Sequence, residues 1–456
     1  MKRKIRVLFV TAECCPYAKV GGLGQISGSL PKKLGENIDI RRVTPLHRSS
    51  FIDFKYKIDF PVKIGDKFET CIVKTASNED IPTYFIANDY YFNRDKIYSY
   101  FDDGERFLFF CKAVLNMLKN IPFKPDIIHC NDWHTGFLPM FLKKDGYEGK
   151  TIFTIHNLRY QGSIGNEYLE ELSLDEKAKL GGDYVNFMRA GFLYSDVVTT
   201  VSESYAKEIM KDSSGMEDII RDKNIEIKGI LNGVDYENYN PSKAGELEFP
   251  YNIKSIENKK KNKIALQREL NLENADVPLI ASVTRLEDYK GIKLIYDAVK
   301  ALDKPFQFVL LGTGNYYYEQ MFKNLCENMK GSAAAVFEYD EALAKRIYAG
   351  SDIFLMPSLY EPCGIAQMIA LKYGSIPIVR NTGGLSDTII DYKDKCGNGF
   401  LFNEYSSEEL KNKISEAIEI YNSTKWISLI KNAMSCDYSL EKSALKYLSL
   451  YKMILE

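Results

Sequence analysis

Lys19 opens a glycine-rich run, Lys19-Val-Gly21-Gly22-Leu-Gly24-Gln25, between the apolar stretch Ile5–Val10 and the segment Ile26–Leu34. The order reads as strand, tight turn and helix start. Glycines let the backbone approach a ligand closely because no Cβ intervenes. The first N–H groups of the helix and its positive dipole end attract an anion, and Lys19 adds a full charge. The chemistry is that of a phosphate or sugar-hydroxyl site. The run matches neither the dinucleotide fingerprint nor the P-loop pattern, and a plain structural turn accounts for it equally well.

Further along, His129-Cys-Asn-Asp132-Trp133-His134 follows one apolar run and Thr154-Ile-His156-Asn157 ends the next. Polar side chains on strand tips need partners, and sugar hydroxyls supply both donors and acceptors. The alternative is that His156 caps a loop and Asp132 the helix after it. In the second half, Arg285-Leu-Glu-Asp-Tyr-Lys290-Gly places two cations five apart after a strand. That pair suits a diphosphate, Arg as a planar fork and Lys as a point charge, although a surface pair has the same spacing. Ser358-Leu-Tyr-Glu361-Pro-Cys363-Gly364 also follows a strand, and Asn381-Thr382-Gly383-Gly384-Leu385 repeats the turn-and-helix geometry of an anion cradle. Glycine-poised donors and two cations in one cleft favour a phosphate-bearing ligand.

Short apolar runs alternate with helical segments over nearly the whole chain, the pattern of parallel α/β sheets. Strands are expected at 5–10, 83–88, 126–130, 151–155 and 197–201, then at 279–285, 306–312, 334–339, 353–357 and 376–380. Helices are expected between them, among them 105–119, 291–302, 316–329, 341–350, 364–373 and 385–391. The Asn-, Tyr-, Pro- and Gly-rich stretch 235–255 is the expected join. We place an acceptor-side domain at 1–237, a donor-side domain at 238–440, and a last helix, 441–456, packing back on the first. Ligands of open α/β sheets bind at the C-terminal strand ends, so two such halves imply a cleft there. The segment 34–47 is short and carries Arg41-Arg42, which sets the surface after the first helix apart, and Lys259–Lys261 reads as the solvated face of a polar helix at 258–270.

The chain has 456 residues, 45% hydrophobic and 27% charged, more than one core usually supports. A net charge of −2 gives no reason to expect nucleic acid or an anionic membrane as partner. Nine scattered cysteines favour reduced thiols in a cytoplasm, and four histidines without zinc-type spacing argue against a metal site. Neither a signal-peptide pattern nor an apolar stretch of roughly 20 residues is present.

The strings Lys19-Val-Gly-Gly-Leu-Gly, Asn-Asp132-Trp, Ile-His156-Asn, Leu-Asn232-Gly-Val-Asp235 and Arg285-(x)4-Lys290-Gly resemble those of the bacterial glycogen and starch synthase family. So do Glu361-Pro-Cys-Gly, Asn-Thr-Gly-Gly-Leu, Asp102-Asp-Gly-Glu-Arg-Phe107 and His156-Asn-Leu-Arg-Tyr-Gln-Gly162, in order along the chain. The resemblance implies a GT-B glycosyltransferase with two Rossmann-like domains. It implies transfer of glucose from ADP-glucose to the non-reducing 4-hydroxyl of an α-1,4-glucan, with retention and without a metal or other cofactor. Arg285 and Lys290 would neutralise the departing diphosphate, with backbone donors from Thr382, Gly383 and Gly384 and with Lys19, Gly21 and Gly22 completing the cradle. His156 would hold the glucose 6-hydroxyl near the anomeric carbon, Asp132 would bind or orient sugar hydroxyls, and Glu361 would stabilise developing positive charge. Asn157, Asn232, Cys363 and Gly364 would line the substrate site, and Tyr339 would lie near the adenine. One position departs: the family usually carries Asp where this chain has Gln25, which keeps hydrogen-bonding capacity but loses the charge.

Overall fold

The computed structural model describes residues 3–48, 53–76, 80–421 and 423–456, and the chain divides into two compact units. The first comprises Met1–Asn232 with Leu440–Glu456, and the second Gly233–Ser439.

The first unit is built on a nine-stranded sheet in the order Ile227–Gly229, Val197–Thr200, Lys150–Ile155, Ile127–Asn131, Arg6–Val10, Asp39–Pro45, Thr83–Ala87, Lys67–Ala76 and Phe54–Ile64. Its central strands are continuous apolar runs because helices cover both faces; Val7, Leu8, Val10, Ile127, Ile128 and Ile152 are fully buried. Arg6–Val10 pairs in parallel with Asp39–Pro45 on one side and Ile127–Asn131 on the other. The chain therefore reverses direction across the sheet at this strand, which opens a crevice at its carboxyl end.

Several segments of this sheet differ from the sequence expectation, the short edge strand Ile227–Gly229 among them. The stretch after the first helix contains the strand Asp39–Pro45, which is not among the expected strands. Arg42 is buried there, donating to Thr83 Oγ1 at 3.1 Å and to the carbonyls of Ser27 and Gly28 at 3.3 Å, while Arg41 lies over the Phe123 ring at 4.0 Å. The antiparallel hairpin Phe54–Ile64 and Lys67–Ala76 was not expected at all. Its outer face carries Lys55, Asp59 and Lys63, and only Val62, Ile64, Cys71 and Val73 are buried, so no apolar run marks it.

The last helix, Leu440–Leu455, belongs to the first unit. Tyr447, Leu448 and Tyr451 share a core with Val7, Phe9, Ile127 and Ile152. Within that core the Tyr451 hydroxyl lies 2.8 Å from His129 Nδ1, and Thr154 Oγ1 lies 2.6 Å from His129 Nε2.

The second unit holds a six-stranded parallel sheet in the order Ala333–Val336, Gln307–Leu311, Leu279–Val283, Ile353–Met356, Ile376–Arg380 and Phe400–Phe402. The polar helix Glu257–Glu269 is not simply a solvated face. Lys259 is buried and donates to the carbonyls of Tyr348 and Ala349, closing the end of the helix Glu341–Gly350, and Lys263 meets Asp352 at 2.6 Å. Lys260 and Lys261 remain exposed. Among the described residues no helix is long and apolar enough to cross a membrane.

Candidate active site

In the first unit the glycine-rich turn connects the strand Arg6–Val10 to the helix Gly22–Gly35. Its interior is occupied by a side chain the sequence reading did not single out. Glu13 is buried, and its Oε2 accepts the N–H groups of Val20 at 2.7 Å and Gly21 at 3.2 Å. The Gly21 donor, expected to help cradle an anion, is thus used within the loop. Gly24 is required by that packing, since a Cβ there would lie 2.8 Å from Glu13 Oε2. Gly21 and Gly22 face open space, so nothing in the fold itself demands glycine at either. Lys19 and Gln25 are half-buried at the same turn. The other oxygen of Glu13 accepts the Tyr98 hydroxyl at 2.9 Å, and the Tyr98 ring stacks on His134 at 4.7 Å.

Asp132 follows the strand Ile127–Asn131 with φ of +61° and is buried. Its Oδ1 accepts the Asn157 N–H at 3.5 Å. Burial pushes its carboxyl up to about 7, against the pull of the backbone N–H groups of Asn157, His156 and Trp133; the negative charge of Glu13 pushes the same way as burial. His156 Nε2 lies 3.1 Å from Asn131 Oδ1. The Asn131 amide nitrogen donates to the carbonyls of Val10 and His129, which turns its oxygen toward His156. Nε2 therefore carries the proton and Nδ1 keeps a lone pair. Desolvation pulls this imidazole down to about 3, so the ring is neutral near pH 7. Asn157 is partly committed to its own loop, where its Oδ1 accepts the Arg159 N–H at 3.1 Å. Asn232 is buried at the end of this unit.

In the second unit the strand Leu279–Val283 delivers Arg285 and Lys290, and the strand Ile353–Met356 delivers Glu361. Lys290 Nζ and Glu361 Oε2 are 2.6 Å apart, and the Ser358 hydroxyl donates to the same oxygen at 2.9 Å. Arg285 is exposed and donates to the Tyr289 hydroxyl. Tyr289 stacks on Tyr360 at 4.8 Å, and its carbonyl accepts the Leu359 N–H at 2.8 Å, so the two loops form one body. Gly291 is needed at this junction: its φ is +73°, and a Cβ would strike the Pro357 carbonyl. Arg380 Nε donates to the Ser358 carbonyl at 2.9 Å and fixes the loop from the opposite side.

The turn at Thr382, Gly383 and Gly384 packs on the Glu361–Cys363 backbone. Gly384 N–H donates to the Glu361 carbonyl at 3.0 Å, so this donor, expected to face a phosphate, is used inside the protein. The helix it opens, Gly383–Thr388, is only six residues long, which weakens the expected dipole. Cys363 is buried, and Gly364 has φ of +74°. Tyr339 is 72% exposed, with its hydroxyl 3.4 Å from Glu341. Among the described residues no group of three or more His, Cys, Asp or Glu is disposed to hold a metal ion.

Glu13, Tyr98, Asn131 and Ser358 are the residues the sequence reading missed. Glu13 had a faint signal, a lone acid directly after a buried strand and before a glycine turn. Tyr98 and Asn131 act by contacts distant in sequence, and Ser358 by one only three residues away that carries no motif of its own.

Comparison with known proteins places both units in known families. The family model for the starch synthase catalytic domain matches residues 6–222, and that for glycosyl transferases group 1 matches residues 263–433. A glycogen synthase of Desulforudis audaxviator is 42% identical over 489 residues, covering 100% of this chain and 97% of that protein. One from Clostridium beijerinckii is 42% identical over 473 residues, covering 98% and 99%. The catalytic domain of starch synthase IV from Arabidopsis thaliana, solved bound to ADP and acarbose, superposes with a TM-score of 0.90 at 32% identity, covering 99% of each chain. This chain, an enzyme of GT-B fold, belongs to the glycogen and starch synthase family.

Proposed function

We propose that this protein transfers glucose from ADP-glucose to the non-reducing 4-hydroxyl of an α-1,4-glucan, with retention of configuration, as a cytoplasmic enzyme. The observation that carries the reading is the cluster at the strand ends of the second unit. Lys290 Nζ lies 2.6 Å from the buried carboxylate of Glu361, and Arg285, on the same loop as Lys290, donates to the Tyr289 hydroxyl. A nucleotide diphosphate leaves with negative charge, and fixed cations stabilise that charge most in a water-excluded site. In this reading Arg285 and Lys290 do so without a divalent cation, helped by Lys19 and by the turns at Gly21–Gly22 and Thr382–Gly383. Glu361 keeps Oε1 for glucose hydroxyls and for the positive charge developing at the anomeric carbon. Neutral His156 holds the 6-hydroxyl, Asp132 orients the sugar, Asn157, Asn232, Cys363 and Gly364 border it, and Tyr339 meets the adenine.

The test is radiolabelled glucose incorporation into glycogen from ADP-glucose and UDP-glucose, each with and without EDTA. Elongation from ADP-glucose that EDTA leaves unchanged is expected. No elongation from ADP-glucose, or loss on chelation restored by magnesium, would overturn the reading. The same assay on Gln25→Asp separates an adapted residue, for which activity is unchanged or lower, from a defect, for which it rises.

A further inference from the structure

We propose that Tyr289 is a positioning residue for the two cations that meet the donor diphosphate; this rests on the function proposed above. Its hydroxyl holds the Arg285 guanidinium and its ring face holds the Lys290 ammonium. In the string Arg285-Leu-Glu-Asp-Tyr289-Lys290 the tyrosine is only a spacer, and its contacts give it a role.

Arg285 is exposed, and among the described residues its guanidinium has one hydrogen-bond partner, the Tyr289 hydroxyl. Its Cζ lies 6.0 Å from the centre of the same ring, and Lys290 Nζ lies 5.3 Å from it. Two like charges on one short turn repel each other, and an exposed arginine keeps many rotamers. An electron-rich ring face attracts an ammonium. A phenol oxygen accepts one guanidinium N–H and leaves the rest of the fork for phosphate oxygens. Holding the side chain before the ligand arrives removes an ordering cost from the binding step.

The ring is itself held. It stacks on Tyr360 with the planes at 27°, and Tyr360 directly precedes Glu361. One aromatic contact thus joins the loop of the cations to the loop of the carboxylate. The turn beneath the ring is gripped from two further elements. Tyr318, on the helix Tyr316–Asn328, donates its hydroxyl to Asp288 Oδ1, and Tyr405, just past the strand Phe400–Phe402, donates to the Asp288 carbonyl at 3.1 Å. Tyr318 and Tyr405 fix the backbone of the turn, and Tyr289 carries that rigidity to the two charges.

The experiment measures binding of ADP and of adenosine by ligand-observed NMR to wild type, Tyr289→Phe and Tyr289→Leu, with glucose-transfer kinetics and thermal melts alongside. Tyr289→Phe keeps the stack and removes the hydroxyl; Tyr289→Leu removes both. The ADP Kd is expected to rise about fivefold in the first and about thirtyfold in the second. Adenosine, which carries no phosphate, should bind within about twofold of wild type, and the glycogen KM should also stay within about twofold. The kcat/KM for ADP-glucose should fall in step with ADP affinity. An unchanged ADP Kd in Tyr289→Phe overturns the proposal. So does an equal loss of affinity for ADP and adenosine, which would mark a general support of the fold. Should Tyr289→Leu melt early, Tyr289→Phe decides alone. A wild-type protein whose ADP binding depends on Tyr289 but which transfers nothing from ADP-glucose would refute the proposed reaction and leave the role of Tyr289 standing.

Discussion

At Glu361 two partners converge on a single oxygen, Lys290 at 2.6 Å and Ser358 at 2.9 Å, and the function proposed above assigns the second oxygen to substrate. Lys290 is therefore shared between Glu361 and the diphosphate it is proposed to meet. Lys290→Ala should lower transfer about 10²–10³-fold, the usual loss of one preorganised charge-stabilising donor. Circular dichroism should be unchanged, because Ser358 still holds the carboxylate. A variant with near wild-type turnover would remove Lys290 from the mechanism. Asp132 gives a prediction in stability. Its carboxyl is raised from 3.8 to about 7 by burial. Between those values the folded protein keeps a proton that the unfolded chain releases, so stability from this group falls as pH rises through the window and stays lost above it. Asp132→Asn is neutral throughout. Its advantage over wild type should be close to zero near pH 4 and grow toward pH 7.5, to about 4 kcal/mol at most. Buried His47 and His129, pulled down to about 4 and 3, impose the opposite trend below pH 6.5. Because both variants contain them, denaturant titrations compared pairwise isolate Asp132. A difference independent of pH would mean that Asp132 is ionised in the fold.

The elements that position these residues were unequally visible. The parallel strands could be read because both faces are covered and each is an uninterrupted apolar run. The hairpin 54–76 could not, because its outer face is charged and its inner face contributes isolated apolar residues. Lys259 shows the same limit in a helix: three consecutive lysines look solvated, yet the first turns inward to the carbonyls that end another helix. The last helix, Leu440–Leu455, is amphipathic in sequence, but its polar contact inside the core is a tertiary fact. Tyr451 and Thr154 together satisfy both nitrogens of fully buried His129. Tyr451→Phe would leave Nδ1 without its partner and should cost about 1–3 kcal/mol in urea denaturation with an unchanged m-value. A loss below about 0.5 kcal/mol would show that another group or a water replaces the hydroxyl.

On the scale of the whole molecule, two α/β units are assembled from a chain that leaves the first unit at Asn232 and returns to it at Leu440. The motif strings are short and local, and each follows a strand, so the sequence by itself determined the class of fold, the family and the residues that cluster at strand ends. Local order also sufficed for Arg285, Lys290 and Glu361, because neighbouring parallel strands carry their tips to one edge. What occupies a backbone donor is not local. Only the tertiary structure decided that Glu13 fills the Lys19 turn, that Gly384 gives its N–H to Glu361, and that Asn131 orients His156. It alone decided that Tyr451, on the last helix, meets buried His129 in the sheet of the first unit. Burial and partner choice depend on contacts outside the repeat of a strand or helix, most of them between segments far apart in sequence, and those contacts leave no periodic trace in either segment.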